Sequence, residues 1–391
     1  MKKTALILTL NDYIIYQPSI LNLYDFMQDR FDVTIVSFLP HHTTKNKDET
    51  RKIIYLETNF FLRHFFQKTD FLFSILFKAV KKVFPHKEYY HLYYNKYLPY
   101  VLKSAAKKQK MKADVVIAAD LPALYTLQPI FGSMHLISLE IENNTNPIHK
   151  KIDRNKIKSV FIQSKERYDY LFKGTQLPVF YVQNAPVFNE NQVTHYERKD
   201  FIWAGTMDRR WAVLDCIDFF DKYPTYRLVL KGGGDKKSLA KINETYAHLL
   251  AADRIKIDRT YLPASSFLDF LSHFKIGICF YSWELINSSF NYATAPSGKL
   301  FMYLAAGVPV IACNIPGFKL VEEFGAGVLI NDFRAETILN AVKLIEADYD
   351  KFSEGCYKAA NYYSFDKRIA SYIDYLAADS ESKKNEVIPY G

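Results

Sequence analysis

Strand-like and helix-like segments alternate along this chain in two successive series, and that alternation restricts its fold more than any other feature. In the first series Thr4–Thr9, Val33–Phe38, Lys52–Leu56, Asp114–Ala118, Leu136–Leu139 and Val160–Gln163 read as buried strands, with Phe180–Gln183 as the last. In the second, strands are expected near 201–205, 227–231, 255–257, 276–281, 308–312 and 327–330. Short apolar runs suit strands covered on both faces, and the helical patterns between them supply the crossovers. The expectation is an α/β protein with two doubly wound parallel sheets. A length of 391 residues agrees, being too long for one ordinary core. The first domain is placed at residues 1–184, a polar linker without clear period at 185–200, and the second domain at 201–364. A last helix-like piece, Phe365–Ala378, precedes a polar tail.

Glycine separates the two halves chemically. Eleven of the fourteen glycines lie between Gly205 and Gly355. Close approach of backbone to a phosphate usually requires glycine, so a nucleotide site belongs in the second half. The four cysteines, Cys216, Cys279, Cys313 and Cys356, have neither disulfide nor metal-ligand spacing and fit small core residues in a reducing cytosol. The opening Met1–Leu10 run is short and stops at Asn11-Asp12, which favours a first strand over an export signal. No apolar run reaches 18 residues, so no spanning helix is expected.

The most specific stretch is Ala295–Ala312. Ser297 is placed to cap a helix whose left-handed stop is Gly307, and Val308, Val310 and Ile311 then form a central strand. Lys299 lies in the first turn. Unpaired N–H groups, the positive end of the helix dipole and an ammonium would meet there, a combination that suits a phosphate or diphosphate. The plainer reading is an ordinary helix–strand unit with a solvated lysine. Pro296-Ser297, Lys299 and the Tyr303–Val310 block resemble the donor-nucleotide signature of GT-B glycosyltransferases, with weaker likeness over most of residues 113–332. The resemblance implies two Rossmann-like domains facing across a cleft, use of a sugar nucleotide, and a terminal helix that returns to the first domain.

Further donor contacts come from the same resemblance. Phe201–Thr206 is similar to the opening strand of the donor domain, where Gly205 and Thr206 would sit beside the donor phosphates. Arg209 and Arg210 stand where relatives often carry a basic residue, and either is equally readable as surface arginine. Arg227–Gly234, with Lys231 and Gly232, looks like the second strand and its glycine turn, and Tyr261 follows the third strand, where relatives contact the base. A core tyrosine is the alternative there. Ser282–Pro296 reads as a cleft-lining loop. Two positions depart from the pattern. Many relatives hold the ribose with a glutamate three residues after the lysine, but Met302 stands there, and Thr294 replaces the companion acid. A thioether cannot accept two good hydrogen bonds from a diol. Some envelope-polysaccharide transferases share this lysine-only form, leaving the ribose to backbone or to Glu322 or Glu323.

In the first half Asp120, Glu140 and Glu142 close predicted strands, and an inverting transfer needs a base near the acceptor hydroxyl. Each is otherwise a solvated loop residue or a helix cap. Asp348-Tyr-Asp350 matches an Asp-x-Asp metal motif but lies in a helical stretch, so neither a metal nor another cofactor is expected. Residues 62–112 carry twelve lysines and arginines against two acids, a surplus of ten that exceeds the +9 of the whole chain. Aromatic residues interleave with them, as in an interfacial amphipathic helix drawn to anionic lipid. Alternatively the apolar positions belong to the domain's own core. No nucleic-acid motif accompanies them.

These features predict a glycosyltransferase, peripheral at the cytoplasmic face of the plasma membrane. It would move a sugar from a nucleoside diphosphate donor, a UDP-sugar foremost, to a saccharide or lipid-linked saccharide of an envelope or capsular polysaccharide. The alternatives are a sugar-nucleotide 2-epimerase of the same fold and a non-catalytic membrane-surface scaffold.

Overall fold

A computed structural model describes residues 2–10, 14–39, 47–83, 92–141, 147–190, 196–208 and 212–385. Glu142, Arg209 and Arg210 lie outside the described residues, as do residues 191–195 of the expected linker. The chain divides into two units, residues 1–182 with 368–391, and residues 183–367.

The first unit is built on strands β1 (Lys3–Leu8), β2 (Phe31–Phe38), β3 (Ile53–Leu56), β4 (Val115–Ala119), β5 (Met134–Ser138), β6 (Ile157–Ile162) and β7 (Val179–Tyr181). They form one parallel sheet in the order β3-β2-β1-β4-β5-β6-β7. Every residue of β4 and β5 is buried, as helices on both faces of a parallel sheet demand. The second unit holds β8 (Lys199–Ala204), β9 (Leu228–Lys231), β10 (Ile255–Asp258), β11 (Phe274–Cys279), β12 (Val310–Cys313) and β13 (Gly327–Ile330). Its parallel order is β10-β9-β8-β11-β12-β13, so the direction of winding reverses between β8 and β11. Both sheets are doubly wound, and observed strands fall within two or three residues of those expected.

The helix Gly298–Ala305 ends as its sequence predicts. Gly307 has φ of +64°, Val308 N donates to Tyr303 O at 2.9 Å, and Gly307 N donates to Leu304 O at 3.0 Å. This pair of bonds is a Schellman closure around a left-handed residue. Its beginning differs from the expectation. Ser297 occupies the cap position with extended backbone, yet its hydroxyl makes no capping bond; it turns to the Cys279 thiol.

Arg198 seals the other end of this helix. Its guanidinium donates to the carbonyls of Ala306 and Gly307 and to the hydroxyls of Tyr349, Tyr357 and Ser353. A cation there answers both the unpaired carbonyls and the negative end of the dipole. Replacing Arg198 with alanine should destabilise the second unit by about 3 kcal/mol, read as an earlier unfolding transition in urea. An unshifted transition would contradict this role.

The terminal helix, Phe365–Asn385, is longer than the expected Phe365–Ala378, and its residues from Arg368 on belong to the first unit. Tyr372 packs edge-on against Phe161 at 5.7 Å. Asp379 faces Lys158 at 2.6 Å and His135 at 3.5 Å, and the hydrogen bond from His135 holds its carboxyl well below the usual range.

Residues 60–83 form one 24-residue helix. Its apolar side chains are not all core. Phe61 is 80% exposed, and Phe60, Phe65, Phe71 and Leu72 are each more than half exposed. Among the described residues no helix is long and apolar enough to cross a membrane.

Candidate functional site

In a doubly wound sheet, ligands bind beyond the carboxyl ends of the strands where the winding reverses. In the second unit that point lies between β8 and β11. Gly205 and Thr206 follow β8 directly and are exposed. The segment after β11, expected as a loop, folds into two short helices, Trp283–Ser288 and Phe290–Thr294. The first is started by Ser282, whose hydroxyl accepts from Leu285 N at 3.3 Å. The chain then enters the Gly298–Ala305 helix, which presents its amino end at the same edge of the sheet.

Two glycine turns lie against each other here. Gly205 has φ of +126° and Gly232 φ of +137°. Gly205 N donates to Lys231 O at 2.8 Å, and Gly232 N to Asp258 O at 2.9 Å. A Cβ on Gly232 would fall 2.3 Å from Gly205 O, so any side chain at that position would force the turns apart. The Lys299 stem reaches this spot, its Cδ lying 4.0 Å from the place of a Cβ on Gly205.

Tyr303, from the same helix, fixes the spacing. Its hydroxyl accepts from Ala204 N at 2.7 Å and reaches Ile202 O at 3.3 Å, tying the helix to the last residues of β8. Asn184 flanks the helix entrance, its Nδ2 being 3.0 Å from where a Cβ on Gly298 would stand.

Part of Lys299 remains exposed, while its ammonium is enclosed and lies 4.1 Å from the centre of the Trp203 ring. Burial pushes its pKa below the usual 10.5, and the nearby thiols of Cys279, Cys313 and Cys216 only partly oppose that. Burial also raises the thiols, that of Cys313 to about 12, so they stay neutral and lend little negative charge. The result is a desolvated cation beside a helix amino end, the exposed Gly205 turn and the half-buried Gly232. Such a place gains from an anion.

The other expected donor contacts are placed as follows. Lys231 does not face outward: its ammonium is buried against Asp258 at 2.8 Å and Thr260 at 2.7 Å, over the Phe270 ring. The ion pair and the Thr260 hydroxyl in turn hold the Asp258 carboxyl down to about 2, although its partial burial opposes this most strongly of all. The Lys231 ammonium is thus committed to the structure of the glycine turn. Tyr261 is 83% exposed, which removes the core alternative. Glu322 and Glu323 are exposed on the short helix Leu320–Glu323. Thr294 is buried with its hydroxyl bonded to Phe290 O, and Met302 is half-buried. Nothing in the sequence marks Trp203 or Asn184, and the spacing of Cys216, Cys279 and Cys313 does not reveal that they act on one lysine.

In the first unit, Asp120 stands at the end of β4 with φ of +64°. Its Oδ1 accepts from Leu139 N at 2.7 Å and Glu140 N at 3.0 Å, so the carboxylate straps the end of β4 to the end of β5. Left-handed backbone at a non-glycine residue is strained and is retained where its surroundings hold it. Glu140 is exposed beside it. Among the described residues no group of three histidine, cysteine or acidic side chains comes together to hold a metal, and Asp348 and Asp350 lie at the start of the helix Tyr349–Tyr363.

No protein-family model matches the chain, and no curated protein matches it by sequence. Solved structures do match in fold. Anabaena HepE in complex with UDP superposes with a TM-score of 0.64 at 12% identity, covering 98% of this chain and 100% of that one. A trehalose 6-phosphate synthase from Burkholderia multivorans gives 0.63 at 9% identity, covering 99% and 100%. The pneumococcal O-GlcNAc transferase GtfA with UDP and GlcNAc gives 0.51 at 13%, covering 71% of this chain and 60% of that one. The fold is GT-B, with one Rossmann-like α/β unit in each half.

Proposed function

We propose that this protein is a glycosyltransferase that moves a sugar from a UDP-sugar to a saccharide acceptor, lipid-linked and belonging to an envelope or capsular polysaccharide. The observation that carries the reading is the convergence of the Gly205 turn, the Gly232 turn and the desolvated Lys299 ammonium at one helix amino end. HepE and GtfA were each solved with UDP, which favours that nucleotide over others.

In this reading the donor diphosphate lies against the amino end at Ser297 and Gly298, with Lys299 as its counter-ion. As the glycosidic bond breaks, negative charge grows on the departing UDP. A cation already stripped of water stabilises that charge without reorganising. Gly205 and Thr206 bring backbone to the phosphates, Arg209 or Arg210 adds a second cation, Tyr261 meets the base, and Glu322 or Glu323 holds the ribose. Asp120, with Glu140 and Glu142 as the other candidates, supplies the base for the acceptor hydroxyl.

The leaving-group charge is thus met by protein cations, and the reaction needs no metal. Transfer should continue at an undiminished rate in excess EDTA; loss of turnover restored by Mn²⁺ would refute this part. The protein works at the cytoplasmic face of the plasma membrane, held there by residues 62–112.

The identity of the donor is tested by a thermal-shift screen of nucleotide sugars, followed by UDP release with and without acceptor. Stabilisation by UDP-sugars and acceptor-dependent release are expected. Conversion of the donor to its C2 epimer without any acceptor would replace transfer by epimerisation.

A further inference from the structure

The first unit contains a cavity of about 300 Å³ that the donor site does not use. Lys96, Lys103 and Lys151 line it together with Tyr100 and Tyr125, and three more of its lining residues are prolines. Among the described residues no acidic side chain lines it. None of the three lysines has a salt-bridge partner among the described residues, whereas many other lysines, such as Lys52, Lys158 and Lys275, do. Three prolines and two tyrosines share the lining with the three lysines, so much of the wall is apolar. That combination fits a phosphate ester carrying an apolar portion better than a free, fully hydrated anion.

The cavity is joined to the exposed apolar helix. Its wall includes Tyr100 and Lys103 of the helix Leu98–Lys108, and Tyr97 at the head of that helix stacks on Phe66 at 5.1 Å. Asp70, from the middle of the helix Phe60–Val83, accepts from Leu92 N at 2.7 Å and Tyr93 N at 2.9 Å. Packing and hydrogen bonds thus join the aromatic helix to one wall of the cavity. Phe61, Phe65, Phe71 and Leu72 stay exposed on that helix.

We infer that the cavity seats the phosphate headgroup of an anionic phospholipid, while the exposed apolar residues of the helix Phe60–Val83 enter the headgroup–acyl boundary of the same membrane. The site rests on the membrane placement proposed above and adds to it a defined pocket. Diffuse attraction of a basic surface needs only total charge. A seated headgroup depends on these three lysines in particular.

The test uses the full chain and flotation with vesicles of phosphatidylcholine containing 30 mol % phosphatidylglycerol at low salt. Replacing all three cavity lysines (K96Q, K103Q, K151Q) should weaken partitioning at least on the order of 1,000-fold, since each loses a charge-assisted bond to the seated phosphate worth roughly tenfold or more. A control triple from the same basic segment but outside the cavity (K107Q, K108Q, K112Q) should lose less than a tenth as much. UDP affinity should be unchanged in both, which also reports that they are folded. Short-chain dihexanoyl phosphatidylglycerol should compete for wild-type binding, and inorganic phosphate at equal concentration should not. Equal losses in the two triples would reduce the cavity to part of a diffuse charge and overturn the inference, leaving the membrane placement standing. Competition by inorganic phosphate as strong as that by the lipid would make it a free-phosphate site and overturn it too. Failure of the wild-type chain to bind anionic vesicles would remove both the site and the membrane placement.

Discussion

Lys299→Met should weaken UDP binding by roughly 50-fold or more while leaving the ligand-free protein melting no lower than wild type. The two halves of this expectation share one cause. Burial depresses the Lys299 pKa, so the folded state disfavours the charged form relative to the unfolded chain. The sign follows from linkage. A lysine whose folded pKa is lowered destabilises the fold while it is protonated, fully below the folded pKa, and the penalty fades as pH rises toward 10.5. Methionine keeps most of the stem beside the Gly205 turn and removes the desolvated charge. The loss of the desolvated ammonium's contact with the indole face, about 2 kcal/mol, offsets much of the gain, which is why the prediction is no loss and not a large increase. A diphosphate bound at the helix amino end, by contrast, loses a charge-assisted bond in a low-dielectric setting, worth about 2–3 kcal/mol. Isothermal titration and thermal melting of the same preparation check both halves. A variant that melts lower and binds UDP normally would make Lys299 an ordinary structural residue.

Asp120→Asn should lower turnover by about 100-fold or more with little change in stability. Asparagine preserves what the structure shows the carboxylate doing. It retains an acceptor oxygen for Leu139 N and Glu140 N, and it tolerates the left-handed backbone at φ of +64° better than most residues. It cannot take a proton from an acceptor hydroxyl. The substitution thus separates the strap from the base. Wild-type turnover in Asp120→Asn would confine Asp120 to strapping β4 to β5 and pass the role to Glu140 or Glu142.

Much of the fold was legible because parallel strands buried on both faces are nearly continuous apolar runs, as in Val115–Ala119 and Val310–Cys313. The stop of the Lys299 helix was legible for a similar reason, since few residues besides glycine take the Gly307 conformation. What the sequence left open was direction. Lys231 ends a strand of the second unit just as Gly205 follows one, and no local pattern shows that it turns inward to Asp258. Ser297 carries the right residue type for a cap, but a thiol 18 positions earlier in the chain draws its hydroxyl away. The electrostatic influence of Cys216, Cys279 and Cys313 on one lysine arises from three separate segments, so only the packed sheet reveals it. Arg198 is similar: it sits in what reads as linker and closes a helix more than a hundred residues away.

A crystal structure with UDP bound tests the central claim most directly. The diphosphate is expected within hydrogen-bonding distance of the Lys299 Nζ and the backbone N–H groups at the start of the Gly298–Ala305 helix, beside the Gly205 and Gly232 turns. UDP seated elsewhere, with the Lys299 ammonium still enclosed against Trp203 and no phosphate oxygen near it, would contradict the account.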